Sequence, residues 1–222
     1  MNSFEIVASS TESTVVAEYT PEKRKSTDYQ SEAELENDFI NRLEDQGYKY
    51  ITIKNEQDLI DNLRKQLEKL NNYTFLDKEW NDFYSSVISN GNDGIIEKTR
   101  KIQEEHIQNL IMDNGYVKNI KLIDKTNIHN NYLQVINQYE EDEGKHGTRY
   151  DVTILVNGLP LVHIELKKRG NSIREAFNQI NRYQRDSFWA GSGLFQFVQL
   201  FVISNGTHTK YYSNTTRFQH IK

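Results

Sequence analysis

Three side chains in the middle of the sequence could do chemistry together. They are Asp151, Glu165 and Lys167, in the stretch RYDVTILVNGLPLVHIELKKRG, residues 149–170. The stretch is two apolar runs around Asn157-Gly158, the composition of a β-hairpin. Charges at the ends of core strands are costly to hold unless they are paired, solvated or bound to a cation. Residues two apart on a strand share a face, so Glu165 and Lys167 point the same way, together with His163. Val162, Ile164 and Leu166 point into the opposite layer. A three-residue loop of Asn157, Gly158 and Leu159 sets Asp151 opposite Glu165, with Cβ atoms about 5 Å apart. A two-residue loop pairs Asp151 with Ile164 and turns Glu165 away. Bringing the two acids together therefore requires an odd register or a bulge.

Two carboxylates at that separation repel unless a cation joins them. Oxygen ligands suit a hard cation, and Mg²⁺ takes one or two protein carboxylates while keeping several waters. Such an ion lowers the pKa of a bound water and stabilises charge on a phosphoryl group. Lys167 beside the pair is suited to hold or deprotonate an attacking water, or to stabilise developing charge. The same residues also suit a plain cross-strand salt bridge from Lys167 to Asp151 or Glu165, and spacing alone does not separate the two readings.

The elements that must position these groups follow from periodicity. FEIVA and TVVAEY near the start read as a small hairpin or sheet edge. Residues 31–46 read as a helix, with Ser31 and Glu34 as a capping box, Leu35, Phe39 and Leu43 on one face and Gly47 as the stop. YKYITI alternates as a strand. Residues 56–112 carry three stripes of helical spacing and predict a helical insertion: Leu59, Leu63, Leu67 and Leu70; Trp80, Phe83, Tyr84 and Val87; Ile95, Ile102, His106 and Leu110. From residue 116 the period changes to two. YVKNIKLI and YLQVINQY read as strands, then a polar run EEDEGKHGTR, the hairpin, a helix over 172–188, the strand QFVQLFVIS, a turn at Asn205-Gly206 and the strand THTKYYS. Residues 116–222 thus form the expected catalytic core of one domain spanning 1–222. Lys222 follows no closing element, which suggests a piece of something longer.

The helix NSIREAFNQINRYQRDSF has Ser172 and Glu175 in capping-box spacing and a packing side of Ile173, Phe177, Ile180 and Gln184. Gln179 and Tyr183 stand four apart on the neighbouring stripe, with Arg174, Arg182 and Arg185 around them. Amide, phenol and guanidinium groups there suit a DNA backbone near the cation. An ordinary amphipathic helix has the same pattern.

The 222 residues include 27 basic and 32 acidic side chains, a formal net charge of −5. The sign is uneven: residues 151–222 hold nine Lys/Arg and four acids, so the last third is locally basic, as phosphate contacts require. There is no cysteine, which excludes a disulfide scaffold and thiolate metal sites. No run approaches the roughly 18 apolar residues of a membrane span. The start MNSFEIVASSTEST has no basic region before an apolar core, so no signal peptide is expected, and a cytoplasmic location is.

Asp151…Glu165-Leu166-Lys167 followed by Gln179-x-x-x-Tyr183 resembles the PD-(D/E)xK nuclease motif with its Q-x-x-x-Y extension, Tyr150 standing where the motif's name has proline. RYDVTILVNGLPLVHIELKKRG…AFNQINRY…LFVISNGTHTKYYSNT, with YQSEAELENDFINRLEDQGY and DGIIEKTRKI, is similar to the N-terminal nuclease domain of the restriction (R) subunit of type I restriction enzymes. The resemblance implies an α/β restriction-endonuclease-like core, a mixed sheet flanked by helices. It implies Mg²⁺-dependent cleavage of unmodified foreign duplex DNA. Asp151, Glu165 and the backbone carbonyl of Leu166 would bind the ion, Lys167 would be the catalytic lysine, and Gln179, Tyr183 and Arg182 would support DNA binding. The family uses a further acid on the first core helix, Glu32 or Glu36 here, with Glu32 favoured. Modification and specificity subunits are the implied partners. ATP belongs to a downstream motor, since no G-x-x-x-x-G-K-[S/T] loop occurs here. The alternatives are a catalytically silent DNA- or partner-docking module on the same fold, and a free-standing resolvase or repair nuclease.

Overall fold

Alternating apolar residues in the second half of the chain assemble one large mixed sheet. The computed structural model describes residues 4–9, 15–19, 31–141, 148–186 and 193–215. The sheet strands are β1 (Phe4–Ser9), β2 (Val15–Tyr19), β3 (Lys49–Tyr50), β6 (Leu133–Glu141), β7 (Thr148–Val156), β8 (Leu159–Leu166), β9 (Leu200–Ser204) and β10 (Thr209–Ser213). Their spatial order is β1-β2-β10-β9-β8-β7-β6-β3. The β8/β9 and β3/β6 pairs are parallel and the others antiparallel. A parallel neighbour needs a crossover. Between β8 and β9 that crossover contains the helix α5 (Ile173–Asp186). The architecture is therefore mixed α/β.

Helix α1 (Glu32–Asp45) starts as its sequence predicts. The Ser31 hydroxyl accepts the Glu34 N–H, and the Glu34 carboxylate accepts the Ser31 N–H at 2.8 Å. This box satisfies donors that a helix start otherwise leaves open. The inner face of α1, Ile40 and Leu43, packs with Val135, Val152, Ile164 and Leu166 from the three central strands. Burial stabilises by about 1.5–3 kcal/mol per large aliphatic side chain, so this face fixes α1 across β6, β7 and β8. The opposite face of the sheet is aromatic. Tyr150 lies 4.6 Å from Phe195, Tyr139 lies 5.2 Å from Phe195, and Phe201 stacks on Tyr212 at 5.4 Å. Ala176 and Ile180 of α5 are buried in the same core.

The insertion begins with α2 (Glu56–Asn71), whose Leu59, Leu63 and Leu67 are completely buried. It continues through α3 (Asp77–Phe83), a single π turn at Tyr84–Ile88 and α4 (Ile95–Gln103). Helical spacing predicts a helix to residue 112, but α4 ends at Gln103. Residues Ile107–Ile111 instead form β4, paired antiparallel with β5 (Val117–Lys121) across the Asn114-Gly115 turn. The ladder accounts for this: Leu110 and Ile120 alone are buried on β4 and β5, a two-residue pattern that the widely spaced Ile102, His106 and Leu110 also fit. β5 joins this separate two-stranded sheet and not the main one. Two other strands are shorter than predicted. YKYITI contributes only Lys49–Tyr50, and QFVQLFVIS is split, with a 3₁₀ turn at Leu194–Phe197 before β9. Most of the polar run EEDEGKHGTR, residues 142–147, lies outside the described residues. Among the described residues, no helix is long and apolar enough to cross a membrane.

Candidate active site

The hairpin solves the register problem with a bulge. Its loop has two residues, Asn157 and Gly158, at φ of 52° and 84°, the left-handed pair of a type I′ turn. Val156 pairs with Leu159 and Leu155 with Pro160, the register that would set Asp151 opposite Ile164. Leu161 is then the extra residue. Beyond it Ile154 pairs with Val162, Thr153 with His163 and Val152 with Ile164. Continued one step past its last pair, this register sets Asp151 opposite Glu165. A bulge inserts one residue and re-aims the side chains that follow it.

Backbone contacts hold the charged end. Asp151 Oδ2 accepts the Leu166 N–H at 2.8 Å. Lys167 N–H donates to the Ser204 carbonyl at 2.7 Å, extending the β8/β9 ladder past the last strand residue. Lys167 Nζ reaches Glu165 Oε1 at 3.1 Å. The expected ion pair therefore exists, but it is incomplete compensation. Glu165 is fully buried, and among the described residues its Oε2 has no hydrogen-bond partner. His163 Nε2 stands 3.6 Å from that oxygen. Burial holds the His163 imidazole at about 4, against the pull of Asp151, so it is neutral at physiological pH. Thr153 Oγ1 contacts its Nδ1 at 3.3 Å.

The electrostatics follow from two acids behind one lysine. Burial pushes the Glu165 carboxyl up to about 7, while Lys167 pulls it down. Burial and then the neighbouring Glu165 charge push Asp151 up to about 6. Both shifts mean that the site binds protons readily and would gain from a cation. The Tyr212 phenol, buried on β10 without a hydrogen-bond partner among the described residues, is also raised, by burial and then by the Glu165 charge.

Both first-helix acids come to this end of the sheet, in different settings. Glu32 is exposed, and its Oε1 accepts the Lys168 N–H at 3.0 Å. Glu36 is buried and accepts from the side-chain amides of Asn137 and Gln138. Burial raises its carboxyl, the two amides lower it, and the Asp151 charge raises it further. Sequence reasoning missed Asn137 and Gln138, which looked like ordinary polar strand residues. Gln179 is half-buried on α5. The backbone of α5 includes Arg182 and Tyr183, but their side chains lie outside the described residues. Ser172 does not close the expected box through its hydroxyl; that oxygen accepts the Arg174 N–H at 3.2 Å.

The donor set expected from the sequence is all oxygen: Asp151, Glu165, the Leu166 carbonyl and an acid of α1. Among the described residues no group of three His, Asp or Glu side chains forms a metal cage. That argues against a closed structural site, but not against Mg²⁺, which needs only one or two carboxylates. A buried carboxylate oxygen with no donor, next to a second raised carboxyl, fits such an ion.

The fold and site thus define a mixed α/β domain with an acidic pair and a lysine at one end of its central strands. A family model described as the type I restriction enzyme R protein N terminus matches residues 29–220, and the chain belongs to that family. It is 48% identical over 212 residues to the type I restriction enzyme EcoprrI endonuclease subunit of Escherichia coli, covering 95% of this chain and 67% of that relative. It is 42% identical over 191 residues to the SsaAORF53P endonuclease subunit of Staphylococcus saprophyticus, covering 84% of this chain and 20% of that relative. A putative endonuclease subunit of Methanocaldococcus jannaschii is 34% identical over 111 residues. The chain thus spans two thirds of one of these relatives and one fifth of another.

Proposed function

We propose that this chain is the nuclease domain of a type I restriction endonuclease subunit, built on a PD-(D/E)xK core, and that it hydrolyses phosphodiesters of unmodified duplex DNA with Mg²⁺. The supporting observation is the bulge at Leu161, which turns Asp151 and Glu165 toward one another with Lys167 alongside. A strand built only for stability has no reason to set two acids face to face in a buried position.

Asp151, Glu165 and the Leu166 carbonyl would hold the ion, with an α1 acid beside them. The ion supplies charge neutralisation at the scissile phosphate and a more acidic bound water. The chain's own contribution is positional. The Leu166 N–H fixes one Asp151 oxygen and leaves the other available. The Ser204 carbonyl pins the Lys167 backbone, so its ammonium stays near the carboxylates. There it orients the attacking water and stabilises charge on the phosphoryl oxygens as the P–O ester bond breaks. Neutral His163 and the Tyr212 phenol form the wall behind Glu165. Gln179, Tyr183 and Arg182 on α5 are the groups proposed to hold the DNA backbone. Duplex DNA and the modification and specificity subunits are the proposed partners, and the cytoplasm the proposed location.

The Lys167–Glu165 ion pair favours one alternative, a silent docking module that keeps the charges only as a salt bridge. Among the described residues, that bridge leaves the second Glu165 oxygen without a donor and Asp151 held only by the Leu166 N–H, so it does not account for the whole arrangement. The test is cleavage of unmodified plasmid by the assembled restriction complex containing Glu165→Ala or Lys167→Ala. Loss of cutting with DNA binding and ATP hydrolysis retained is expected. Cutting at the unaltered rate by either variant overturns the nuclease reading.

A further inference from the structure

Strand β6 breaks its regular course at one residue. Asn137 pairs with Val152 and Tyr139 with Tyr150, so the residue between them, Gln138, stands across the ladder from Asp151. Gln138 has a φ of 53° in the middle of a nine-residue strand. A left-handed non-glycine residue without a turn is strained, and such strain persists only where the surroundings hold it.

The side chains show what the kink achieves. Successive strand residues normally point to opposite faces. Here Asn137 and Gln138 both reach the same carboxylate: Asn137 Nδ2 donates to Glu36 Oε1 and Gln138 Nε2 donates to Glu36 Oε2. Asn137 is itself fixed, its Oδ1 accepting the Tyr50 hydroxyl at 2.8 Å. Glu36 is only 6% exposed, and both of these donors are neutral amides. A carboxylate has about four acceptor sites, so two amide bonds orient it and leave capacity on both oxygens.

We propose that Asn137 and Gln138 are positioning residues that use the kink at Gln138 to hold the Glu36 carboxylate toward the Asp151 side of the site, where it would act on the cation through the ion's water shell and not as a third direct ligand. The inference rests on the metal-site reading above. It assigns the α1 role to Glu36 because Glu36 is buried and oriented by two side-chain donors, whereas Glu32 lies exposed. Glu32 then ties the start of α1 to the backbone following β8.

Outer-shell residues of metal sites typically change affinity by about 10–100-fold when removed. The test is Mn²⁺ titration of the chain, followed by electron paramagnetic resonance, for wild type, Gln138→Gly, Asn137→Ala and Asp151→Asn. Thermal melting is recorded for each. Glycine tolerates the left-handed φ, so Gln138→Gly removes the amide while relieving strain. It should melt no lower than wild type yet bind Mn²⁺ about ten-fold or more weakly. Asn137→Ala should weaken binding in the same sense, and Asp151→Asn should abolish it. In the assembled restriction complex, Gln138→Gly should raise the half-saturating Mg²⁺ concentration by a similar factor while retaining the rate at saturating Mg²⁺. If Gln138→Gly and Asn137→Ala bind Mn²⁺ like wild type while Asp151→Asn does not, the positioning role is overturned and the cation site stands. A lowered melting temperature with unchanged metal affinity also overturns it. If wild type and Asp151→Asn alike bind no Mn²⁺, the metal-site reading falls and takes this inference with it.

Discussion

The two ends of the β7–β8 hairpin are built on opposite principles. At the turn, Asn157 is completely buried, and its backbone N–H and both ends of its side-chain amide find partners. Its Nδ2 donates to the Leu122 carbonyl at 3.0 Å and to Asn131 Oδ1 at 2.8 Å, and its Oδ1 accepts the Tyr132 N–H at 2.8 Å. At the open end, Glu165 is equally buried, yet one of its oxygens lacks a donor among the described residues and the acid faces a second acid. The strands are continuous between these ends, so the difference is not one of local fold quality. Satisfied burial marks the end that holds the hairpin in place, and unsatisfied burial marks the end on which the proposed cation site rests.

The largest effect should come from breaking the open end. Asp151→Asn is expected to lower DNA cleavage by about a thousand-fold or more while leaving the metal-free melting temperature equal or higher, because a repulsive buried charge is gone. A plasmid cleavage assay paired with calorimetry checks both halves, and a large loss of stability would erase the contrast between the two ends. The turn should behave in the opposite way. A Cβ on Gly158 would lie 2.6 Å from the Leu63 Cα, at a φ that disfavours side chains. Gly158→Ala is therefore expected to destabilise by about 4 kcal/mol, read from denaturant melts.

pH sharpens the comparison further. The Glu165 and Asp151 carboxyls are raised to about 7 and about 6. A raised folded-state pKa contributes stability that is fully present below the unfolded value, near 4, and is lost as pH rises through the folded value. Metal-free protein should thus gain on the order of 3 kcal/mol from these groups as pH falls from about 8 to about 4.5. Glu165→Gln should flatten that slope in a urea-melt series, and Mg²⁺ should stabilise most at the alkaline end, where the carboxylates are free. The smallest expected effect is Asn157→Ala, about 2 kcal/mol, since it leaves the Tyr132 N–H and the Leu122 carbonyl without their partner. Amide exchange at Tyr132 would report that loss locally.

Much of this was legible in the residues. Alternation announced β6, β7, β8 and the hairpin turn, and the Ser31/Glu34 pair announced the start of α1. The condition for an acid pair, a bulge if the loop has two residues, was also readable. The place of the bulge went unread, although Pro160 beside Leu161 is a signal for it: a proline within a strand is confined to edges, strand starts and bulges. Leu110 misled for a related reason: one buried residue in a five-residue strand satisfies helical and strand periods equally. Gln138 left no trace in the sequence at all. Its side chain meets Glu36, 102 positions earlier, and nothing in the neighbouring sequence announces a left-handed glutamine. The choice between Glu32 and Glu36 likewise depends on which faces the sheet interior, and one helical turn separates them.

The contact between Gly158 and Leu63 has a consequence for how the molecule comes apart. Helix α2 sits with its backbone directly against the turn, and Leu122 and Asn131, from the loop beyond β5, bind the turn's asparagine. The insertion is therefore not a detachable appendage. It and the hairpin should open as a single cooperative unit, with the amides of α2 and of β7 and β8 exchanging on one shared timescale. Limited proteolysis should find no stable fragment lacking residues 56–103, and excising that stretch to shrink the domain should release the very strands whose far ends hold Asp151 and Glu165.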